Sequence, residues 1–204
     1  MENPRDRRIK VRKVIVSQFV TVDGVMEDPG GAEEFDRGGW AFQFERGPEG
    51  DKFKLDEVLA SDALLLGRET FQAFAEASPS REGEFADKFN SMPKYVVSTT
   101  LEEPQWNNST VIKGDVAEEV AKLKEQPGGD ILVNGSAQLM RTLMEHDLVD
   151  EYRLMVFPVV LGSGKRLFGD LSDTTPLRLV DSKPAGACLI LTYEPAQIHE
   201  GDSQ

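Results

Sequence analysis

Three short segments combine glycine, hydroxyl and guanidinium groups as a binder of phosphate needs them: Gly67-Arg68-Glu69-Thr70, Ser98-Thr99-Thr100 and Asn134-Gly135-Ser136-Ala137. In the first, glycine lets main chain approach a ligand closely and Arg68 offers a rigid fork of donors. Thr70 is expected to cap a helix while donating to an oxygen. In the third, a helix starting at Ser136 would present N–H groups of the kind that hold a pyrophosphate. The hydroxyls of Ser98, Thr99 and Thr100 suit a ribose 2′-phosphate, although Ser and Thr runs also simply end strands. A strand-to-helix turn needs a glycine and a cap for structural reasons alone, so it is the joint occurrence of the three that points to a nucleotide.

Gly162-Ser163-Gly164-Lys165-Arg166 invites the label of a phosphate loop and fails it. The Walker pattern requires four residues between its glycines and a Ser or Thr after the lysine, and Leu167 stands where a dinucleotide fingerprint has its third glycine. The segment reads mainly as a turn that redirects the chain, with Lys165 and Arg166 as lesser candidates for an anion. Metal chemistry is poorly supplied. The single cysteine, Cys188, lies in an apolar run and reads as buried filler. The two histidines are His146 and His199, of which His146 suits the C-terminal end of a helix. Trp40, Phe42 and Phe44 alternate in a long loop, where they either wall a planar substrate together with Phe19 or pin the loop to the core.

The elements that would position these residues follow from periodicity. Val14 to Val20 is rich in β-branched residues and reads as a central strand buried on both faces. Asp23-Gly24, Pro29-Gly30-Gly31 and Gly38-Gly39 mark a loop reaching to about Gly50, and loops of that length are usually functional or mobile. Asp51 is expected to cap a helix with Leu55, Val58 and Leu59 inward. Asp115 with Glu118 resembles a capping box. Ser136 caps a helix with Leu139, Met140, Leu143 and Met144 inward. Strand and helix alternate from Leu64 to Met144, which predicts an α/β fold with a parallel sheet and crossover helices. Tyr152–Leu161, Leu177–Ser182 and Cys188–Tyr193 lack helical pattern between them and predict antiparallel strands completing a mixed sheet.

The 204 residues, 39% hydrophobic, suit one domain over residues 11–195. Residues 1–10, with Arg5, Arg7, Arg8 and Lys10, read as a flexible basic arm that continues through Arg12 and Lys13 into the first strand. Residues 196–204 read as a disordered tail. A formal charge of −13 repels polyanions, so nucleic acid is not an expected partner. No apolar run approaches the roughly 20 residues of a membrane span, and a soluble cytoplasmic protein is expected.

The three strand ends, in this order, resemble the dihydrofolate reductase fold: a mixed, mostly parallel sheet flanked by helices, with antiparallel C-terminal strands. The stretch from Leu148 through Phe157-Pro158-Val159-Val160-Leu161-Gly162-Ser163-Gly164-Lys165-Arg166-Leu167-Phe168 is similar to the reductase domain of the bifunctional riboflavin-biosynthesis protein and its stand-alone relatives. The resemblance implies an NADPH-dependent reductase passing hydride to a small planar or carbonyl-containing substrate. A nucleotide-binding or structural homodimer without turnover is the alternative. It implies that Gly67, Arg68 and Thr70 bind cofactor phosphate, that Ser98 and Thr99, with Thr100 beside them, read the 2′-phosphate, and that Gly135, Ser136 and Ala137, with Asn134 before them, cradle the pyrophosphate. Val20, Thr21, Asp23 and Gly24 would lie beside the nicotinamide. Counting back from Gly67 without gaps, Asp51 stands where the fold carries a catalytic carboxylate on its first helix. The chain departs from dihydrofolate reductases at Asn134-Gly135, where they have a double glycine. It also lacks the zinc-deaminase signatures of the riboflavin enzyme and, in residues 18–50, a counterpart of its ribose-phosphate-binding cations, which disfavours a riboflavin pathway role. A homodimer is expected, since the related domains pair and exposed β-edges need covering.

Overall fold

The run Val14–Thr21 forms strand β1, and its residues are buried on both faces because strands flank it and helices cover it above and below. The computed structural model describes residues 11–169, 171 and 173–197; the expectations for the arm of residues 1–10 and for most of the tail lie outside these. After β1 the chain makes a 3-10 turn at Trp40–Gln43, then α1 (Gly47–Ala60), β2 (Ser61–Gly67), α2 (Arg68–Ala77), α3 (Glu84–Ser91), β3 (Lys94–Val97) and β4 (Ser109–Ile112). It continues through α4 (Val116–Glu125), β5 (Asp130–Val133), α5 (Ala137–Glu145), β6 (Glu151–Phe157), β7 (Leu177–Ala185) and β8 (Cys188–Pro195).

The eight strands form one sheet in the order β4-β3-β2-β5-β1-β6-β8-β7. The first six are parallel, and β8 and then β7 add on antiparallel. The mixed α/β sheet is therefore the one expected, with one correction: the Tyr152 run, β6, is parallel to β1, because helix α5 carries the chain back before it begins. Helices α4 and α5 pack on one face through Val120, Leu123, Leu139, Met140, Leu143 and Met144. On the other face α1 contributes Val58, α2 Phe71 and α3 Phe89. A third apolar group joins Trp40, Phe157, Cys188 and Ile190 below the loop that follows β1.

Local signals explain most boundaries. Asp115 accepts from the Glu118 N–H (3.0 Å) and Ser136 from the Leu139 N–H (3.5 Å), so both expected caps are present. Two others differ. Helix α1 starts at Gly47 with Pro48 in its first turn, so Asp51 lies inside the helix and caps nothing. Helix α2 starts directly after Gly67, which places Thr70 within its first turn. Of the inward positions expected on α1, Val58 is buried, whereas Leu59 is 41% exposed and the charged Glu57 is 2% exposed. Strand β4 carries no strong pattern in the sequence. Arg12 and Lys13 do not belong to a solvated arm. Arg12 is buried and donates to the Gly129 carbonyl (2.7 Å), and Lys13 pairs with Glu151.

Lys94 opens β3 fully buried, its ammonium donating to the carbonyls of Asn90 (2.7 Å) and Met92 (2.8 Å) and lying 4.3 Å from the Trp106 ring centroid. Burial pushes its pKa down to about 8. Among the described residues no helix is long and apolar enough to cross a membrane.

Candidate functional site

The carboxyl ends of β3, β2, β5, β1 and β6 share one rim because these strands run parallel. Strands β1 and β5 stay paired only as far as Val16↔Val133, while β1 continues against β6 to Thr21↔Phe157. A crevice therefore opens between β1 and β5, where successive connections leave in opposite directions along the sheet, the usual ligand position in open α/β folds. The Asn134 side chain spans its root, donating to the Ser17 carbonyl (3.0 Å), while its Oδ1 is buried without a partner.

The two glycine turns meet at this rim. The Gly67 N–H donates to the Gly135 carbonyl (3.1 Å), a Cβ on Gly67 would land on the Ser136 side chain, and a Cβ on Gly135 would lie 2.5 Å from Thr70 Oγ1. The structure thus brings Gly67, Thr70, Gly135 and Ser136 together, with Arg68 and Ala137 opening the helices that follow. The Gly135–Ser136 peptide is cis. No side chain caps α2, so the N–H groups of its first turn are left for other acceptors. Arg68 lies along its own helix, bonded to Gln72 (3.0 Å) and close to Glu69 (3.4 Å), with 41% of its side chain exposed.

At the end of β3 the hydroxyl cluster divides. Ser98 is buried and its oxygen accepts from the N–H groups of Thr100 (3.2 Å) and Leu101 (2.9 Å), so it holds the turn, leaving Thr99 and Thr100 exposed at the rim. Beside them stands a cation that the sequence did not flag. The Ser98 N–H donates to the Ile112 carbonyl (3.1 Å), which puts the exposed Lys113 next to the cluster.

Val20 is buried, and Thr21, Asp23 and Gly24 form a tight buckle after β1. The Thr21 hydroxyl donates to Asp23 (2.6 Å) and accepts from the Val25 N–H (2.9 Å), and Asp23 also accepts from the N–H groups of Leu161 (3.1 Å) and Gly162 (2.8 Å). The Gly162–Arg166 segment is indeed a turn. Lys165 pairs with Glu27 (3.1 Å) and the Arg166 side chain donates to the Asp23 carbonyl (3.1 Å), so both cations serve the loop after β1. The Thr21 hydroxyl, with the two loop N–H groups, holds the Asp23 carboxyl down to about 2, against an ordinary 3.8. A depressed carboxyl stabilises the fold above its ordinary pKa, and that contribution fades as pH falls toward the folded value. Asp23→Asn should cost on the order of 1–2 kcal/mol near pH 6 and almost nothing near pH 2. Urea unfolding at the two pH values checks this, and a pH-independent difference would contradict it.

Beside the crevice lies a cleft of about 670 Å³ between α1 and the ends of β1 and β6, lined chiefly by Phe19, Phe42, Phe44, Arg46, Asp51 and Phe157. Phe19 meets Phe157 edge-on with centroids 5.1 Å apart. Phe42 is 77% exposed at the mouth. Trp40, unlike Phe42, is an anchor of the core and not a wall of the pocket. It is 1% exposed, its indole N–H donates to the Glu27 carbonyl (2.9 Å), and it supports Phe157 from below. Asp51 does reach the cleft, but it is 66% exposed and paired with Arg46 at 2.5 Å. Among the described residues no group of three or more His, Cys, Asp or Glu side chains is arranged for a metal ion.

Sheet order, crevice and flanking helices define a dihydrofolate reductase-like α/β protein. The dihydrofolate reductase of Enterococcus faecalis complexed with NADP(H) and RAB-propyl superposes with a TM-score of 0.56 at 15% identity, over 91% of this chain and 97% of the other. A putative riboflavin biosynthesis protein from Shewanella sp. PV-4 superposes with a TM-score of 0.72 at 24% identity, over 91% and 99% of the two chains. Within that class, residues 12–191 match the model of the RibD C-terminal domain, and the chain belongs to that family. The uncharacterized protein YyaP of Bacillus subtilis (strain 168) is 35% identical over 180 residues, 86% of this chain and 90% of YyaP.

Proposed function

We propose that this chain is an NADPH-dependent reductase acting on a small planar or carbonyl-containing substrate. The observation that carries this reading is the juxtaposition, on one rim, of the paired glycine turns at Gly67 and Gly135 with an aromatic cleft beside the β1–β5 crevice. The donor set suits a dinucleotide phosphate: the uncapped start of α2, Arg68, Thr70, Ser136 and Ala137 for the pyrophosphate, and Thr99 and Thr100, with Ser98 beneath and Lys113 beside them, for the 2′-phosphate. Val20, Thr21, Asp23 and Gly24 would border the nicotinamide. When bound, NADPH supplies the hydride. Phe19, Phe42, Phe44 and Phe157 would hold a flat substrate and keep water from it.

A second reading, a nucleotide-binding dimer without turnover, is favoured by the engagement of Asp51 with Arg46. Both readings require NADPH to raise the melting temperature by mass action, and only the first requires NADPH oxidation with a dihydrofolate, quinone, nitroaromatic or ketone acceptor. No shift with millimolar NADPH or NADH would end both. Arg68→Ala should weaken NADPH binding by about 1.5–3 kcal/mol, the worth of a charge-assisted bond, and an unchanged Kd removes Arg68 from the site.

We further infer a homodimer. Strand β7 is a nine-residue edge strand, and Leu179, Leu189, Leu191 and Tyr193 lie on one face of the β7–β8 ribbon; Leu179 is 51% and Leu189 41% exposed. A second copy would cover that face. Light scattering should give twice the 22.6 kDa protomer mass, and a monomer would contradict the inference.

A further inference from the structure

A row of ion pairs runs beneath α1, along the face that carries the odd-numbered residues of β1 and β6. Lys13 meets Glu151 (3.3 Å), Glu151 meets Arg153 (2.6 Å), Arg153 lies 3.9 Å from Glu57, and Glu57 meets Lys54 (2.6 Å). At the inner end Lys54 also donates to Ser17 Oγ (2.7 Å), and the Ser17 hydroxyl donates to the same Glu57 oxygen (2.9 Å). The other Glu57 oxygen is buried without a hydrogen bond. The Glu57 side chain is 1% exposed and that of Lys54 13%. Two cations, Lys54 and Arg153, thus share one buried carboxylate.

The row ends where the chemistry would take place. Lys54 lies one helical turn beyond Asp51, and its ammonium is 5.4 Å from the centroid of Phe19, a ring that lines the cleft. Ser17 is bound through its carbonyl to Asn134, at the root of the crevice between β1 and β5. A proton donor for a hydride acceptor needs this position, close to both the aromatic wall and the dinucleotide crevice.

We propose that Lys54 is the proton donor of this site, with Ser17 and Glu57 as the residues that position it; this rests on the reductase reading above. Hydride brings its electron pair to the acceptor carbon of the substrate, and the π bond to the neighbouring nitrogen or oxygen breaks toward that heteroatom. The Lys54 Nζ–H bond breaks and its proton joins the heteroatom. NADPH leaves as NADP⁺, and the neutral Lys54 amine regains a proton from solvent. The charged groups around Lys54 are Asp51 and Glu57 on α1, Arg153 on β6 and Arg46 in the turn before α1.

The test uses 2-naphthol, a flat ring whose oxygen mimics the heteroatom as charge arrives and whose ionised form absorbs at longer wavelength. Bound to the full-length protein, it should ionise at least about one pH unit below free naphthol, as expected for an acid held close to a cation. K54M should abolish the shift while the ring still binds. Because K54M leaves Glu57 charged and buried, K54M/E57Q provides the same readout without the orphaned carboxylate. Naphthol that ionises as it does in water, a shift that survives in K54M/E57Q, or no binding at millimolar concentration would overturn the assignment. NADPH melting shifts on the same samples separate the two readings. A protein stabilised by NADPH that leaves naphthol unshifted keeps the reductase reading and loses Lys54, and one that NADPH does not stabilise loses both.

Discussion

Replacing Glu57 with alanine is expected to lower the unfolding free energy by about 3–5 kcal/mol, the usual penalty for removing one member of a buried ion pair. The side chain is 1% exposed, so solvent screens little of its interaction with Lys54. Alanine would leave Lys54 with only the Ser17 hydroxyl and Arg153 with only Glu151. Most of the cost comes from that uncompensated charge rather than from the lost attraction. Glu57→Gln should therefore cost less, since an amide oxygen still accepts from Ser17 and Lys54. Exchanging both partners, as in Lys54→Met with Glu57→Leu, should recover most of the loss, because a buried pair and a well-packed apolar pair are often of similar stability. Urea titrations of the three variants read these differences. A single alanine variant within about 1 kcal/mol of the parent would mean that water reaches the cluster.

That cluster also marks the limit of what could be read from the chain. The mostly apolar, β-branched run of β1 makes its central place in the sheet legible, and the strand–helix alternation that follows makes the parallel run of β2 and β5 legible, as are the caps at Asp115 and Ser136. Helix α1 is not. Periodicity nominates Leu55, Val58 and Leu59, but the helix turns Lys54 and Glu57 inward, where they meet each other, the Ser17 hydroxyl of β1 and the Arg153 guanidinium of β6. A side chain's partners on distant strands leave no trace in helical spacing. The same holds for Trp40 and Phe42, two residues apart and alike in type. One became a core anchor because the Glu27 carbonyl receives its N–H, and the other stayed at the mouth of the cleft. Strand β4 is four residues long with one residue buried, so its pattern is too short to stand out, and nothing in the sequence singles out the Lys113 that follows it. Asp51 is placed by its ungapped distance from Gly67 and does reach the cleft, yet its pairing with Arg46 depends on a helix that starts at Gly47, before the cap position its residue type implies.

The second large effect is expected at Gly135. Its φ of +128° is a conformation that side-chain-bearing residues rarely adopt, and a Cβ there would lie 2.5 Å from Oγ1 and 3.3 Å from Cβ of Thr70. Strain and clash act together, so Gly135→Ala should cost about 2–4 kcal/mol. It should also suppress the melting shift given by NADPH, since α2 can yield only by moving Gly67 and Arg68 with it. Two comparisons divide the effect. Gly24 has φ +79° and open space within 4 Å of where a methyl group would stand, so Gly24→Ala carries backbone strain without collision and should cost about 1 kcal/mol. Adding Thr70→Ala to Gly135→Ala removes the nearest atoms and leaves the strain, so the double variant should recover part of the stability but not all of it. If Gly135→Ala melts like the parent and still responds to NADPH, the two turns are not packed as described, and the proposal that their rim binds cofactor phosphate falls.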